Sequence, residues 1–343
     1  MSASFSLRRT IGLFAAAVLI AAASSVSATT ELTGAGSTFD YPFFSKAFYD
    51  YSQQHGDVSV NYQSIGSGGG IQQFIAKTVD FGATDVPASA DELKLAGASA
   101  LQIPVALGGV AIGYNLPGIG KGLSLSREIL AEIYLGKVTQ WNDPAIEKIN
   151  PNLKLPNISI AVVHRSDGSG TSYIFTDFLS TVSPEWKEKV GKGKSVQWPV
   201  GIGGKGNEGV AGQVSETPGA IGYIELAYVL QNDMTYAQIQ NKGGHYVYPS
   251  VATIKAAAAT KPNVNPSDFS IVDADGTDSY PICGYSWALL YKNPTDASRG
   301  AQLKTVMQWL VTKGQSDAAS INYVPLPENV QQEALKTLSE MGG

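Results

Sequence analysis

A single stretch, Val162 to Leu179 (VVHRSDGSGTSYIFTDFL), narrows the possible folds more than any other. An apolar run from Ile158 to Val163 has the character of a strand, Gly168-Ser169-Gly170 makes a tight turn, and Tyr173, Phe175 and Phe178 recur at helical spacing. A strand that turns into a helix start leaves backbone N–H groups unpaired at the positive end of the macrodipole, and such a place draws an anion. Ser169 and Thr171 add hydroxyl donors. Arg165 adds a planar fork matched to two oxygens of a tetrahedral anion. Taken alone, the same residues also make an ordinary Asp-Gly turn with a Ser or Thr cap.

The pattern recurs twice. LTGAGSTF (Leu32 to Phe39) precedes Phe43, Phe44, Ala47, Phe48 and Tyr51 at helical spacing, so Thr38 is expected at a helix N-terminus. The alternating run VSVNYQSI (Val58 to Ile65) enters Gly66-Ser67-Gly68-Gly69-Gly70, and a helical face with Ile71, Phe74 and Ile75 follows. Three junctions of this kind, with no nucleotide fingerprint, imply convergence on one anion. A further short strand, Val79 to Thr84, stops at Asp85-Val86-Pro87. Asp85 is either a turn former or, if it faces the same cleft, an acceptor that favours an anion still carrying a proton.

At 343 residues the chain exceeds one ordinary core, and two lobes are expected. Residues 1 to 28 form a signal segment: Arg8 and Arg9 are its basic start, Ile11 to Ala23 its apolar run, and Val26-Ser27-Ala28 its cleavage site. Leu7 and Ile11 fit a twin-arginine signal poorly, so general secretion with cleavage after Ala28 is expected. Without that segment 22 basic residues face 29 acidic ones. A net acidic chain argues against nucleic acid as partner, and any anion must be held by local donors. The single cysteine, Cys283, lies in the apolar run PICGYSWALL and is expected to be buried and inert. His55, His164 and His245 are too dispersed for a zinc site.

Leu101 to Leu116 and Ile282 to Tyr291 read as long apolar strands that cross between the lobes, with a cleft for ligand between them. Leu125 to Leu135 reads as an amphipathic helix capped by Ser126 and closed by Gly136, and the alternation of strands and helices indicates α/β architecture. Gly201 to Gly206 matches GxGxxG, but no dinucleotide-binding unit surrounds it, and a close-packed loop is the better reading. His164, Asp167 and Ser169 imitate a hydrolase trio, yet they crowd into six residues and lack a GxSxG elbow. The rivals that remain are an exported phosphatase or esterase, a binder of another oxyanion or a phosphorylated metabolite, and an adhesive protein with no cleft ligand.

The segments LTGAGSTF, NYQSIGSGGG, VDFGATDVP, IYLGKVTQWNDPAI, AVVHRSDGSGTSYIF, GIGGKGNEGVAG, PGAIGY and YVPLP, in this order from residue 32 to about residue 330, resemble the periplasmic phosphate-binding proteins of bacterial high-affinity phosphate ABC importers. The resemblance implies an α/β, two-lobed type II periplasmic binding protein fold, each lobe a mixed sheet flanked by helices, with ligand in the interlobe cleft. Lobe 1 would comprise residues 29–110 and 286–343, and lobe 2 residues 111–285. Carried over by position, Thr38 and Phe39 give amides and the Thr hydroxyl, Ser67 gives amide and hydroxyl, and Asp85 accepts the proton of phosphate. Arg165 makes the charged contact and is held by Asp167, while Ser169, Gly170 and Thr171 add donors. The resemblance further implies a monomeric periplasmic protein without catalytic residues, metal or cofactor, which hands inorganic phosphate to the membrane permease. Asp40 stands where a proline is common, Gly68 where a second serine is common, and His164 where a basic residue can precede the arginine. Asp40 is expected to point to solvent.

Overall fold

In the computed structural model, which describes residues 29–97 and 100–342, the glycine turns connect strands to helices as the sequence pattern requires. The signal segment expected at residues 1 to 28 lies outside the described residues. The chain runs through β1 (Thr30–Gly36), α1 (Tyr41–Gln54), β2 (Val58–Ser64), α2 (Ser67–Ile75), β3 (Phe81–Thr84) and α3 (Ala90–Leu95). Strand β4 (Ala100–Tyr114) then leads through β5 (Ser124–Leu125), α4 (Arg127–Tyr134) and α5 (Pro144–Ile149) to β6 (Ala161–Arg165), α6 (Gly170–Val182) and α7 (Pro184–Lys189). Next come β7 (Ile202–Gly204), α8 (Gly206–Glu216), β8 (Ala220–Glu225), α9 (Leu226–Gln231), β9 (Thr235–Tyr236), β10 (Gln238–Gln240), β11 (Tyr246–Val247) and α10 (Val251–Ala259). The chain closes with β12 (Cys283–Tyr291), α11 (Ala297–Leu310), a 3-10 segment (Lys313–Ile321) and α12 (Glu328–Ser339).

The main sheet has the order β2-β1-β3-β12-β4-β8-β6-β7, with β9 on β4, and a small sheet joins β11, β10 and β5. Its middle strand is β4, buried along nearly all its length, which explains the continuous apolar run where a half-exposed strand would alternate. Residues Ala100 to Gly109 of β4 pair antiparallel with β12, and Val110 to Tyr114 pair antiparallel with β8. On one side β1, β2 and β3 are mutually parallel, and on the other β6, β7 and β8 are. Because β12 and β8 both run against β4, the carboxyl ends of the two parallel sets face each other across the middle of β4. Open α/β sheets bind ligands beyond such carboxyl ends.

Helix α1 packs through Phe43, Phe44, Ala47, Phe48 and Tyr51, the residues whose spacing marked it. Each such ring contributes roughly 1.5–3 kcal/mol by leaving water. Ser126 caps α4 by accepting from Ile129 N at 3.2 Å, and Gly136 follows with φ 74°, as the sequence signals required. The segment Gly201 to Gly206 is not merely a close-packed loop. It contains β7 and the first residue of α8, where Gly206 takes φ 71°.

Candidate functional site

Each parallel set brings its turns to the same place. From one side come the residues after β1, the start of α2 and the end of β3; from the other come the end of β6, the start of α6 and the start of α8. Thr38, Phe39, Ser67, Asp85, Arg165, Ser169 and Thr171 are all nearly or fully buried there.

Ser67 is the first residue of α2, and its Oγ accepts from Asp85 N at 3.2 Å and from Gly170 N at 3.0 Å, so it ties the two sides together. Thr38 does the same from another direction: its Oγ1 accepts from Asn207 N at 3.2 Å and Nδ2 at 2.8 Å, and its carbonyl accepts from Tyr228 Oη at 2.7 Å. Gly68 N donates to Gly168 O at 2.8 Å between two glycine turns. A Cβ on Gly170 would stand 2.6 Å from Asp85 N and Oδ2, so only glycine permits this approach.

Arg165 leaves the end of β6 with its side chain out of water. Its Nε donates to Asp167 Oδ1 at 2.8 Å, its Nη2 to Oδ2 at 2.5 Å, and its Nη1 to Thr171 Oγ1 at 3.3 Å. Burial pushes the Asp167 carboxyl up, but the hydrogen bonds and charge of Arg165, with Gly206 N at 3.1 Å, hold it below the ordinary range. The pair is therefore ionised, and the guanidinium is oriented by a bidentate grip. Ser169 caps α6 by accepting from Ser172 N at 3.0 Å, while its own N–H donates to Lys194 O. Thr171 Oγ1 also accepts from Asn207 Nδ2 at 3.2 Å. A hydroxyl oxygen that accepts from N–H keeps its own hydrogen for another acceptor, and Thr38, Ser67 and Ser169 are all in this position.

Asp85 is the acceptor among these donors. Its Oδ1 receives Ser37 Oγ and, at 2.8 Å, Ser286 Oγ. Burial raises its carboxyl to about 6, against the pull of the two serines and of Arg165. At neutral pH it is mainly a carboxylate in a place where charge is expensive.

Two expectations need correction. Helix α1 starts at Tyr41, so Thr38 and Phe39 sit in the turn before it, and Phe39 N donates to Ser37 Oγ at 2.9 Å. Asp40, expected in solvent, is fully buried, with Oδ2 in hydrogen-bond contact with Ser286 Oγ at 2.6 Å. It occupies the N-cap position of α1 yet caps no backbone N–H, because its side chain turns inward to β12. Sequence reasoning also missed Ser37, Asn207, Tyr228 and Ser286. For Asn207 a signal existed: it stands at the helix start after the glycine-rich segment. Ser286, in an apolar strand, had none. Cys283 is buried, and burial pushes its thiol up to about 12, as an inert cysteine requires. The His164 ring stacks on Trp198 at 4.9 Å with Nδ1 3.0 Å from Arg165 O, so it forms no hydrolase trio with Ser169.

A family model described as a PBP superfamily domain matches residues 21–313. Phosphate-binding protein PstS of Xylella fastidiosa is 46% identical over 308 residues, covering 89% of this chain and 84% of that protein. Its namesake in Pasteurella multocida is 46% identical over 320 residues, covering 92% of each. Among solved structures, a high affinity periplasmic phosphate-binding protein bound with phosphate at pH 8.5 superposes with a TM-score of 0.70 at 19% identity, over 92% of this chain and 99% of that one. A putative phosphate ABC transporter substrate-binding protein from Clostridium perfringens gives 0.64 at 18% identity, over 87% and 100%. At these identities the structures share the fold.

Proposed function

Because the chain belongs to the PBP superfamily and, within it, to the phosphate-binding proteins named PstS, we propose that it binds inorganic phosphate in the periplasm and delivers it to the permease of an ABC importer. The observation that carries this reading is the convergence of Thr38, Ser67, Arg165, Ser169, Gly170 and Thr171 from both sides of the sheet on one buried spot, with the buried carboxyl of Asp85 as an acceptor among them. An anion leaves water only where its oxygens meet donors, and hydroxyls, amides and one guanidinium meet that need. Phosphate near neutral pH keeps a proton and donates it in a hydrogen bond to Asp85. Sulfate has none, and two bare acceptors facing each other cost on the order of 1–3 kcal/mol or more.

We take the lobes as residues 29–110 with 286–343, and 111–285; the exchange of partners along β4, from Cys283 at Gly109 to Glu225 at Val110, supports the boundary within β4. The protein works as a monomer that opens and closes about these crossings, and it carries out no chemistry on its ligand. Among the described residues no helix is long and apolar enough to cross a membrane.

Calorimetry with phosphate and sulfate tests the function. Tight phosphate binding, with sulfate weaker by roughly a hundredfold or more, is expected. Equal affinities, or turnover of a chromogenic phosphate ester, would overturn the reading.

A further inference from the structure

Asp40 and Asp85 are both buried, and Ser286 stands between them: its Oγ lies 2.6 Å from Asp40 Oδ2, 2.8 Å from Asp85 Oδ1 and 3.2 Å from Thr84 O. The β4–β12 register shifts immediately after Ser286, and bulges of this kind re-aim a side chain beside a site.

A hydroxyl carries one hydrogen. Two contacts this short to carboxyl oxygens need two, because bare oxygens facing each other away from water repel. Ser286 supplies one, so the other resides on a carboxyl. Asp85 is not its seat: Ser37 Oγ already donates to the same Oδ1, and Arg165 favours its charge. Asp40 has no such support. Its Oδ1 lacks any hydrogen-bond partner, and the groups facing it are the acids Asp85 and Glu225 and the phenols of Tyr62 and Tyr323, with Tyr228 beside them.

We propose that Asp40 is a positioning residue for selectivity: it holds a proton and donates it to Ser286 Oγ, so that Ser286 donates to Asp85 and Asp85 stays an ionised acceptor for protonated phosphate. This rests on the phosphate reading given above. Burial, then the charge of Asp85, hold the Asp40 carboxyl well above its usual range, in the same direction. Without Asp40, Ser286 accepts no hydrogen bond and its own donation to Asp85 weakens, because a hydroxyl that accepts donates more strongly, while Thr84 O at 3.2 Å competes for the hydrogen. Asp85 is then less well supported as a carboxylate, takes up a proton more readily, and in that form donates to sulfate.

The test uses Asp40→Ala, Asp40→Asn and Ser286→Ala. Asparagine keeps an N–H donor toward Ser286, and alanine does not. In calorimetry the phosphate-over-sulfate ratio is expected to fall about tenfold in Asp40→Ala and Ser286→Ala near pH 7, and the loss should close near pH 9, where Asp85 is ionised regardless. Asp40→Asn should restore the ratio to within about threefold of the unaltered protein. Infrared difference spectra of the unaltered protein against Asp40→Asn should show one protonated-carboxyl band lost; any band from Glu225, whose carboxyl burial also raises, cancels in the difference. If Asp40 were ionised, both Asp40 variants would remove a buried negative charge and tighten both anions about tenfold. That result, an unchanged ratio in Asp40→Ala, or no band lost would overturn the proposal. Should Asp40→Ala fail to fold, Ser286→Ala and the infrared difference still decide. If the unaltered protein binds no phosphate, the function falls, and the infrared band alone decides the proton.

Discussion

Arg165 is the one basic side chain that is buried among the described residues, and it is buried with its partner Asp167 in its grip. A lysine could not replace it, since an ammonium cannot present two parallel N–H groups to Asp167 and a third toward Thr171. Arg165→Ala should weaken phosphate by roughly 3 kcal/mol, on the order of a hundredfold, as loss of a desolvated charged partner does. Arg165→Lys should recover only part of that, and calorimetry reads both. Residue types at the site were visible in the chain, and Arg165 and Asp167 are close in sequence. Asp40 was expected in solvent because a second carboxylate facing an anion weakens its binding. The chain gives no sign of Ser286, in a strand 246 positions away, which meets Asp40 inside the protein.

At the level of elements, the starts of α2, α6 and α8 reach the site, each after a glycine-containing turn, and close approach rather than flexibility explains the glycines that matter. Gly170 begins α6 with ordinary helical geometry, so alanine there would suit the helix. The added methyl would instead strike the Asp85 backbone nitrogen at 2.6 Å across the cleft. Gly170→Ala should therefore leave the melting temperature of the ligand-free protein close to that of the parent while weakening phosphate at least about tenfold. Scanning calorimetry and titration together check this, and a large drop in melting temperature would place the effect in the fold instead. Gly36, at the tip of β1, differs: φ 144° and a notional Cβ 2.0 Å from Ala83 O make it a requirement of the sheet. Helix and strand identities were legible because periodicity is local. The reach of α8 into the site was not, because Asn207 meets Thr38 from 169 residues away.

Across the whole molecule, the buried carboxyl of Asp85 lowers stability near neutral pH. The folded pKa of Asp85 is raised to about 6, so the proton is bound more tightly in the folded than in the unfolded chain. Its contribution is fully present below the unfolded carboxyl pKa and is lost as pH rises through about 6. Asp85→Asn should accordingly be more stable than the parent near pH 7.5, by on the order of 2–3 kcal/mol, with the difference vanishing near pH 4. Urea unfolding at the two pH values measures it. A variant no more stable at pH 7.5 would mean that the carboxylate is not held against its surroundings.

The order of residues was enough to determine the alternation of strands and helices, the two long apolar strands and the three glycine turns that lead toward helices, because each depends on neighbours within a few positions. Tertiary structure alone decided that opposed parallel strand sets bring those turns to one point, that Asn207 and Ser286 join them, and that Asp40 faces inward. These outcomes depend on sheet order and on the β4–β12 register, which set the distance between residues more than a hundred positions apart and leave no periodic trace in the chain.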